Sequence, residues 1–523
     1  MKSRERFSTR IWIKGSALLM ALTLALGSCN ELKNLDPLEG VTYKLNYKPA
    51  NSQIQGLVVD AKTGQSLSIP IQVAILGQDA NRVVTFDGKA QTTYSSPKGD
   101  LYIGLKGDVP TPQAPARLRL VVDAAGYIPS ATELRLTKSL NDPFLIRLVK
   151  ETDPPQEVSV KKDQLRLSTN ATLSANKEIV VASASTPTTL LFSGGTGMKD
   201  EKGNPVTGTV AATVAAYAPG SASIPAGLTT PVSSNESGSA TANVALNIAG
   251  YTSVNLTSSS GQSVTSFTNP ILIKMGISPE FQNRTAARRI QVGDLLGVYR
   301  RNEKSGIWSF VQDVKVEAQG SGLGVSFPVT HFTDYAVAQA QPTSSTCQAV
   351  WTIQGLAAGY AYRYELVQDG RIKASGTSTD QTLNLGEASQ GPADLLLYSS
   401  SGSLLGKSSV QNLCGNHTLS VSAPQGTVNI NFTVRGACEN GKNIEVYPTV
   451  LVRYGKSGAD PTTFVGTTFE NGQGTLVGLE ANTPYEARVD YEGTWTEQFT
   501  TGTGAESRSL TYVLKSHTEA CKQ

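Results

Sequence analysis

Histidine is nearly missing from this chain: His331, His417 and His517 are the three in 523 residues. Chemistry that sets a base beside a nucleophile has little to draw on. There is no Gly-x-Ser-x-Gly elbow, no His-Glu-x-x-His pair, no Walker loop and no Gly-x-Gly-x-x-Gly turn, so the hydrolase, zincin and nucleotide-binding readings that those motifs carry are set aside. Cys-x-x-Cys spacing is absent and no Asp-x-Asp-x-Asp-Gly loop occurs, so neither a zinc nor a calcium motif is present. No metal site and no cofactor are expected. Basic runs are lacking as well, which removes the electrostatic footprint of a nucleic-acid partner. Apolar runs are short, and none reaches the roughly 18 residues that a membrane-crossing helix needs.

What is present begins at the N-terminus. Lys2, Arg4, Arg6, Arg10 and Lys14 precede an apolar run from Ala17 to Leu26, the anatomy of an export signal. The run ends in Leu26-Gly27-Ser28-Cys29, which resembles the lipobox of bacterial lipoproteins. That resemblance implies cleavage after residue 28, palmitate-type acylation of Cys29 and a membrane partner held through lipid. Asn30 rather than Asp follows the cysteine, which within that resemblance implies the outer membrane, on its periplasmic face or at the cell surface. An ordinary secretory signal cut after Ser28 is the alternative. Without residues 1–28 the chain has 40 basic and 41 acidic side chains in 495 residues, so the apparent net charge of +3 belongs to the signal.

The remaining length exceeds what one core supports, and three to five domains of about 100–150 residues are expected. Val, Ile, Leu and Thr recur in short alternating runs interrupted by Gly, Pro, Asn and Asp, the pattern of an all-β chain of tandem β-sandwiches, transthyretin-like or immunoglobulin-like. After a tether over residues 29–50, residues 51–150 form the clearest module. Gly56-Leu-Val-Val-Asp60-Ala-Lys-Thr63-Gly64, Gly99-Asp100-Leu-Tyr102 and Ala125-Gly126-Tyr127-Ile128 resemble the carboxypeptidase regulatory-like domain, a transthyretin-like sandwich. These motifs mark turns and core positions, so the resemblance implies a fold and no peptidase activity.

Glu151-Thr-Asp-Pro154-Pro155 is a stiff polar boundary. Residues 156–340 again alternate, and Gly293-Asp294 through Tyr299, Gly306-Ile-Trp308 and Thr330-His331-Phe332-Thr333 resemble the β-sandwich domains of ankyrins and netrin receptors. Within this stretch Pro279 to Ile290 reads as a short helix. Two smaller sandwiches are expected at 345–423 and 426–523, the latter with Gly478 to Val489 similar to a fibronectin type III loop and strand. Each contains two cysteines. Cys347 with Cys414 and Cys438 with Cys521 is the preferred pairing, since each pair brackets one domain. A hairpin over His417–Arg435, turning at Pro424-Gln425-Gly426 and bringing Cys414 near Cys438, is the competing arrangement.

Two constellations carry candidate chemistry. His331-Phe332-Thr333 resembles a self-cleaving triplet in which the Thr333 hydroxyl attacks the preceding carbonyl and His331 takes its proton, breaking the chain between Phe332 and Thr333. Its alternative is a plain strand with Phe332 in the core. Tyr360, Tyr362 and Tyr364 share one strand face and form a candidate ligand platform for sugar rings, extended by Trp351 and Trp495; the same parity describes a core face. Asp60, Asp79, Asp87, Asp100, Asp200 and Glu201 sit near turns, where solvated acids are the default. The expected function is a non-enzymatic cell-envelope lipoprotein presenting β-sandwich modules for binding or adhesion, with a glycan or protein ligand. The alternatives are a carbohydrate-binding surface protein, by analogy with starch-binding sandwiches, a scaffold subunit of a larger envelope complex and the self-cleaving protein.

Overall fold

In the first module the apolar alternation of Ile71-Gln-Val73-Ala-Ile75 and Leu118-Arg-Leu120-Val-Val122 turns one face of each strand inward, as a period of two requires. The computed structural model describes residues 43–514 and Cys521, apart from 49, 86–88, 184–185, 234–241, 303, 321, 343–346, 423, 442–443 and 491–493. Its elements over this span are β-strands, with single 3-10 turns at Ala80–Arg82 and Pro461–Thr463. The all-β tandem-sandwich architecture is therefore the one that the alternation predicts.

The first module packs a sheet ordered Val83–Val84, Asp100–Leu105, Ser52–Asp60, Phe144–Lys150, Tyr127–Ile128 against one ordered Thr93–Ser96, Ile71–Leu76, Ala116–Ala124, Ser130–Leu136. Ile54, Val58, Ile71, Ile103, Leu118, Leu120 and Leu148 meet between them. The opening motif has a physical purpose. Asp60 Oδ1 accepts the backbone N–H groups of Lys62 and Thr63, each at 2.9 Å, and its Oδ2 accepts the Tyr127 hydroxyl at 3.0 Å. Gly64 closes that turn at φ 71°, a left-handed conformation that glycine adopts without steric penalty. Gly56 lies in register with Phe144 on the parallel neighbour, and a Cβ there would enter the Phe144 ring.

The second module is larger. A seven-stranded sheet runs from Val158–Arg166 through Thr209–Tyr217 and Ala242–Ser258 to Asp334–Pro342, and it faces a six-stranded sheet built on Thr188–Phe192, Val264–Ile277 and Gly322–His331. Strand Ala242–Ser258 is buried over most of its length because the seven-stranded sheet is covered on both sides. Its inner face joins the sandwich core, while its outer face, with Tyr217, Leu246, Ile248, Tyr251, Tyr299 and Trp308, packs against Ile128 and Val149 of the first module. The stretch 279–290 is not helical. Gln282–Asn283 and Arg288–Arg289 pair as a two-stranded hairpin, the Ile290 N–H bonds the Phe281 carbonyl at 2.9 Å, and both apolar side chains reach the core. Two apolar anchors flanking a polar tip satisfy a hairpin; a helix would have needed an apolar stripe through 282–289.

The third module places Thr382–Glu387, Gln348–Gln354 and Gly415–Ser420 against Arg371–Ser378, Tyr362–Gln368, Ala393–Tyr398 and Leu404–Val410. In the fourth, Thr427–Cys438 is flanked by Glu506–Leu514 on one side and by Gln473–Glu480 and Ile444–Pro448 on the other, opposite a sheet ordered Val465–Phe469, Val450–Lys456, Pro484–Asp490, Thr494–Thr500. Disulfides join Cys347 to Cys414 and Cys438 to Cys521. The competing 417–435 hairpin does not form: Gly415–Ser420 pairs with Gln348–Gln354, whereas Thr427–Cys438 belongs to the fourth module. Pro424-Gln425-Gly426 thus separates two domains instead of turning a hairpin.

One strand departs from the tether expected over 29–50. Tyr43–Tyr47 lies parallel to Ile444–Pro448, in register from Tyr43 with Ile444 to Tyr47 with Pro448, and so adds an outer strand to the last module. The modules also contact one another broadly. Arg117 meets Glu387 at 3.1 Å, Lys138 meets Asp380 at 2.8 Å, Gln53 donates to the Thr449 carbonyl at 3.4 Å, and Lys373 donates to the Leu246 carbonyl at 2.9 Å. The four sandwiches form a packed cluster and not a row of beads.

Candidate functional site

The residues singled out by sequence occupy separate places. Phe332 fills the core of the second module, packed edge-on against Phe192 and Phe267. Thr333 is buried and its hydroxyl donates to the Arg301 carbonyl, while His331 is exposed at the end of its strand and bonds Thr330 Oγ1 through Nδ1 at 3.1 Å. One strand ends at His331 and the next begins at Asp334, so Phe332 and Thr333 form the turn between them and not a continuous strand, with the Thr333 hydroxyl and the His331 ring each hydrogen-bonded elsewhere. Adjacent Asp334 and Arg301, each 1% exposed, form a buried ion pair: Asp334 Oδ2 accepts from Arg301 Nε at 2.6 Å, from Arg301 Nη2 and from the Tyr251 hydroxyl at 2.7 Å. Burial, then the Asp334 charge, holds the Tyr251 hydroxyl far above the ordinary phenol range.

The tyrosine ladder is corrected by its burial. Tyr360, Tyr362 and Tyr364 are 4%, 1% and 9% exposed and belong to the core of the third module, so their rings offer no surface platform. The Tyr362 hydroxyl reaches the rim and donates to the Asp380 carbonyl at 2.7 Å. Trp351 is also in this core, tilted against His417 with ring centroids 4.7 Å apart, while Trp495 packs edge-on against Tyr512 in the fourth module. Asp60 caps its turn, Asp79 accepts from Arg82 at 2.9 Å and from the Arg117 N–H at 2.9 Å, and Asp200 accepts the N–H groups of Lys202 and Asn204. Among the described residues no group of three or more His, Cys, Asp or Glu is arranged to hold a metal ion. Cys29, the signal, Asp87 and His517 lie outside the described residues.

The site that the sequence reading missed lies where three modules meet. A cavity of about 300 Å³ is lined by the outer face of the first module, the 222–231 segment of the second and residues 372–375, 385 and 387 of the third. Its floor follows from strand parity. In Ala116–Ala124 and Ser130–Leu136 the residues Leu118, Leu120, Leu134 and Leu136 face the core, which turns Arg117, Arg119, Glu133 and Arg135 outward. Register sets Arg119 opposite Glu133 but Arg117 opposite Arg135, a like-charge cross-strand pair that destabilises a sheet. Glu387 of the third module relieves Arg117. Arg147 adds a fourth guanidinium with no carboxylate at ion-pair distance among the described residues.

Polar groups in this cavity are left over. Arg119 spends Nη1 on the Ser305 carbonyl at 2.8 Å and Arg135 spends Nη2 on the Pro112 carbonyl at 2.8 Å, yet the buried Nε of each has no hydrogen-bond partner. The same holds for Glu133 Oε2 and for the hydroxyls of Ser223 and Thr230, which are 7% and 2% exposed. Lys373 contributes backbone and stem, because its ammonium is committed to Leu246 and faces Asp369 at 3.7 Å. Burial lowers the affinity of the Arg119, Arg135 and Arg147 guanidiniums for their protons and raises that of the Glu133 carboxyl, so each group is under-solvated in its charged form. A signal for these residues was present in the sequence: Arg117-Leu-Arg119 and Glu133-Leu-Arg135 put charge at every outward position of two neighbouring strands. Which surface would cover them was not.

No family model matches the chain, and no curated protein matches it. Solved structures do. The shaft pilin SpaA of Lactobacillus rhamnosus GG is similar over 32% of this chain and 98% of its own, at 12% identity and a TM-score of 0.15. The Bacillus anthracis TIE protein is similar over 69% of this chain and 76% of its own, at 10% identity and 0.13. The full-length RrgB pilus protein of Streptococcus pneumoniae is similar over 86% and 93%, at 8% identity and 0.12. At these scores the likeness carries no functional argument.

Proposed function

We propose that this chain is a non-enzymatic envelope lipoprotein, anchored through acylated Cys29, whose four sandwiches act together as one binding body. The observation that supports binding over mere spacing is the three-module cavity, whose lining gathers four guanidiniums, two carboxylates and the hydroxyls of Ser223 and Thr230. The anchor rests on Leu26-Gly27-Ser28-Cys29 after the apolar run, and the outer membrane on Asn30. Two or three acyl chains, at about 0.8 kcal/mol per buried methylene, would hold such a body firmly. With Tyr43–Tyr47 docked on the last module, the acylated end would reach the fourth module by only the short segment that precedes Tyr43.

Carbohydrate is the ligand class that the mixture of guanidinium, carboxylate and hydroxyl groups favours among the binding readings. Labelling with radioactive palmitate tests the anchor: the wild-type chain is expected to incorporate label and partition with membranes, and Cys29→Ser to lose both. Unlabelled wild-type protein recovered from the medium would refute anchoring. A denaturing gel of the purified chain is expected to show one full-length band, because the Thr333 hydroxyl is bonded to the Arg301 carbonyl and the His331 ring to Thr330; two fragments meeting between Phe332 and Thr333 would reinstate self-cleavage.

A further inference from the structure

We propose that the cavity between the first, second and third modules binds an acidic molecule of monosaccharide size, a uronate-like sugar. The inference deepens the binding reading above and rests on it. The floor holds Arg117, Arg119, Arg135 and Arg147 against Glu133 and Glu387, an excess of positive charge in a recess where screening by water and salt is reduced. Arginine keeps its proton at any pH that a folded protein survives, so the excess persists. In addition, the strands place Arg117 directly across from Arg135, where Glu387 answers the Arg117 charge and a ligand oxyanion would add to what answers Arg135.

The unpartnered atoms say more about the ligand than the charge does. Arg119 Nε and Arg135 Nε are donors suited to a carboxylate. The Ser223 and Thr230 hydroxyls donate or accept, and Glu133 Oε2 accepts. A bare inorganic oxyanion has no use for Glu133 and would be repelled by it. A hydroxylated acid suits the lining as a whole, with its carboxylate toward the guanidiniums and its hydroxyls toward Glu133, Ser223 and Thr230 once side-chain rotation brings these buried atoms to the cavity surface. Size agrees: about 300 Å³ is at the small end of ligand cavities, which run from about 300 to 1,000 Å³, and it admits one sugar ring and not an oligomer. The wall is firm, since Arg371 Nη2 bonds the Ala226 carbonyl at 2.7 Å and fastens the 222–231 segment to the third module.

The test is isothermal titration of the full mature chain with D-glucuronate, glucose and inorganic phosphate, each up to about 10 mM, a range that detects weak single-site binding. Glucuronate is expected to bind, with glucose and phosphate each weaker by about tenfold or more, given the extra strength of charge-assisted hydrogen bonds. Arg135→Ala is expected to weaken glucuronate by about tenfold and Ser223→Ala by a few fold, with melting unchanged in the second variant. Phosphate binding as tightly as glucuronate would overturn the sugar assignment in favour of a plain oxyanion. No heat with any of the three, or glucuronate affinity unmoved in both variants, would overturn the site itself. Neither result bears on anchoring, which palmitate labelling reads from Cys29.

Discussion

Two buried charge clusters lie within this protein, and they differ in how their polar atoms are spent. In the second module, Asp334 takes hydrogen bonds from two nitrogens of Arg301 and from Tyr251, and the whole group is sealed under the first module by Ile128 and Val149. At the three-module junction, Arg119, Arg135, Glu133, Ser223 and Thr230 are equally the product of strand parity, but each keeps an atom unused. A matched buried pair is a structural device, because removing one partner strands the other charge. An unmatched cluster gains little by folding and much by meeting a ligand. Burial alone would not have separated the two; the direct pairing of Asp334 with Arg301 does.

The comparison can be broken by mutation. Asp334→Ala is expected to destabilise the protein by about 3–5 kcal/mol, since Arg301 would remain buried without its carboxylate. Urea unfolding measures this, and a loss below about 1 kcal/mol would put the pair on the same footing as the cavity. Next in size, joint replacement of Cys438 and Cys521 by serine is expected to cost about 2–4 kcal/mol through the freed chain of the fourth module, read as a shift of its unfolding midpoint. Gly56→Ala is expected to cost about 1–3 kcal/mol, because the added methyl must displace the Phe144 ring.

Smaller effects sharpen the contrast. Asp142 lies at the joint of the first and third modules, where burial pushes its carboxyl up to about 6 although Lys138 at 3.2 Å opposes the rise. A carboxyl raised by folding contributes stability that is present below its unfolded value, near 4, and is lost as pH climbs through about 6. Asp142→Asn is therefore expected to melt slightly higher than wild type at pH 8 and equally at pH 4; a lower melting point at pH 8 would contradict burial as the cause. Smallest of all, Ser223→Ala in the cavity is expected to shift stability by less than about 0.5 kcal/mol, as removal of a hydroxyl with no protein partner leaves no group stranded.

Much of the fold was legible because it depends on near neighbours. Alternation placed the strands, Asp60 and Gly64 marked a turn, and paired cysteines bracketed two modules. The stretch around Pro279 misled because Phe281 and Ile290, nine residues apart, suit the two arms of a hairpin as well as they suit helix ends. Tyr360, Tyr362 and Tyr364 were visible as one face of a strand, but parity alone does not say which face the core takes.

The chain's own pattern determined that it would fold as successive all-β sandwiches, since a strand's inward residues are set by its period of two, whatever lies beyond. Only tertiary structure decided that Tyr43–Tyr47 would join Ile444–Pro448 some four hundred residues on, and that the second and third modules would close a space over the arginines of the first. Such contacts depend on how finished surfaces fit each other. That fit is a property of shapes in space and leaves no periodic trace along the chain.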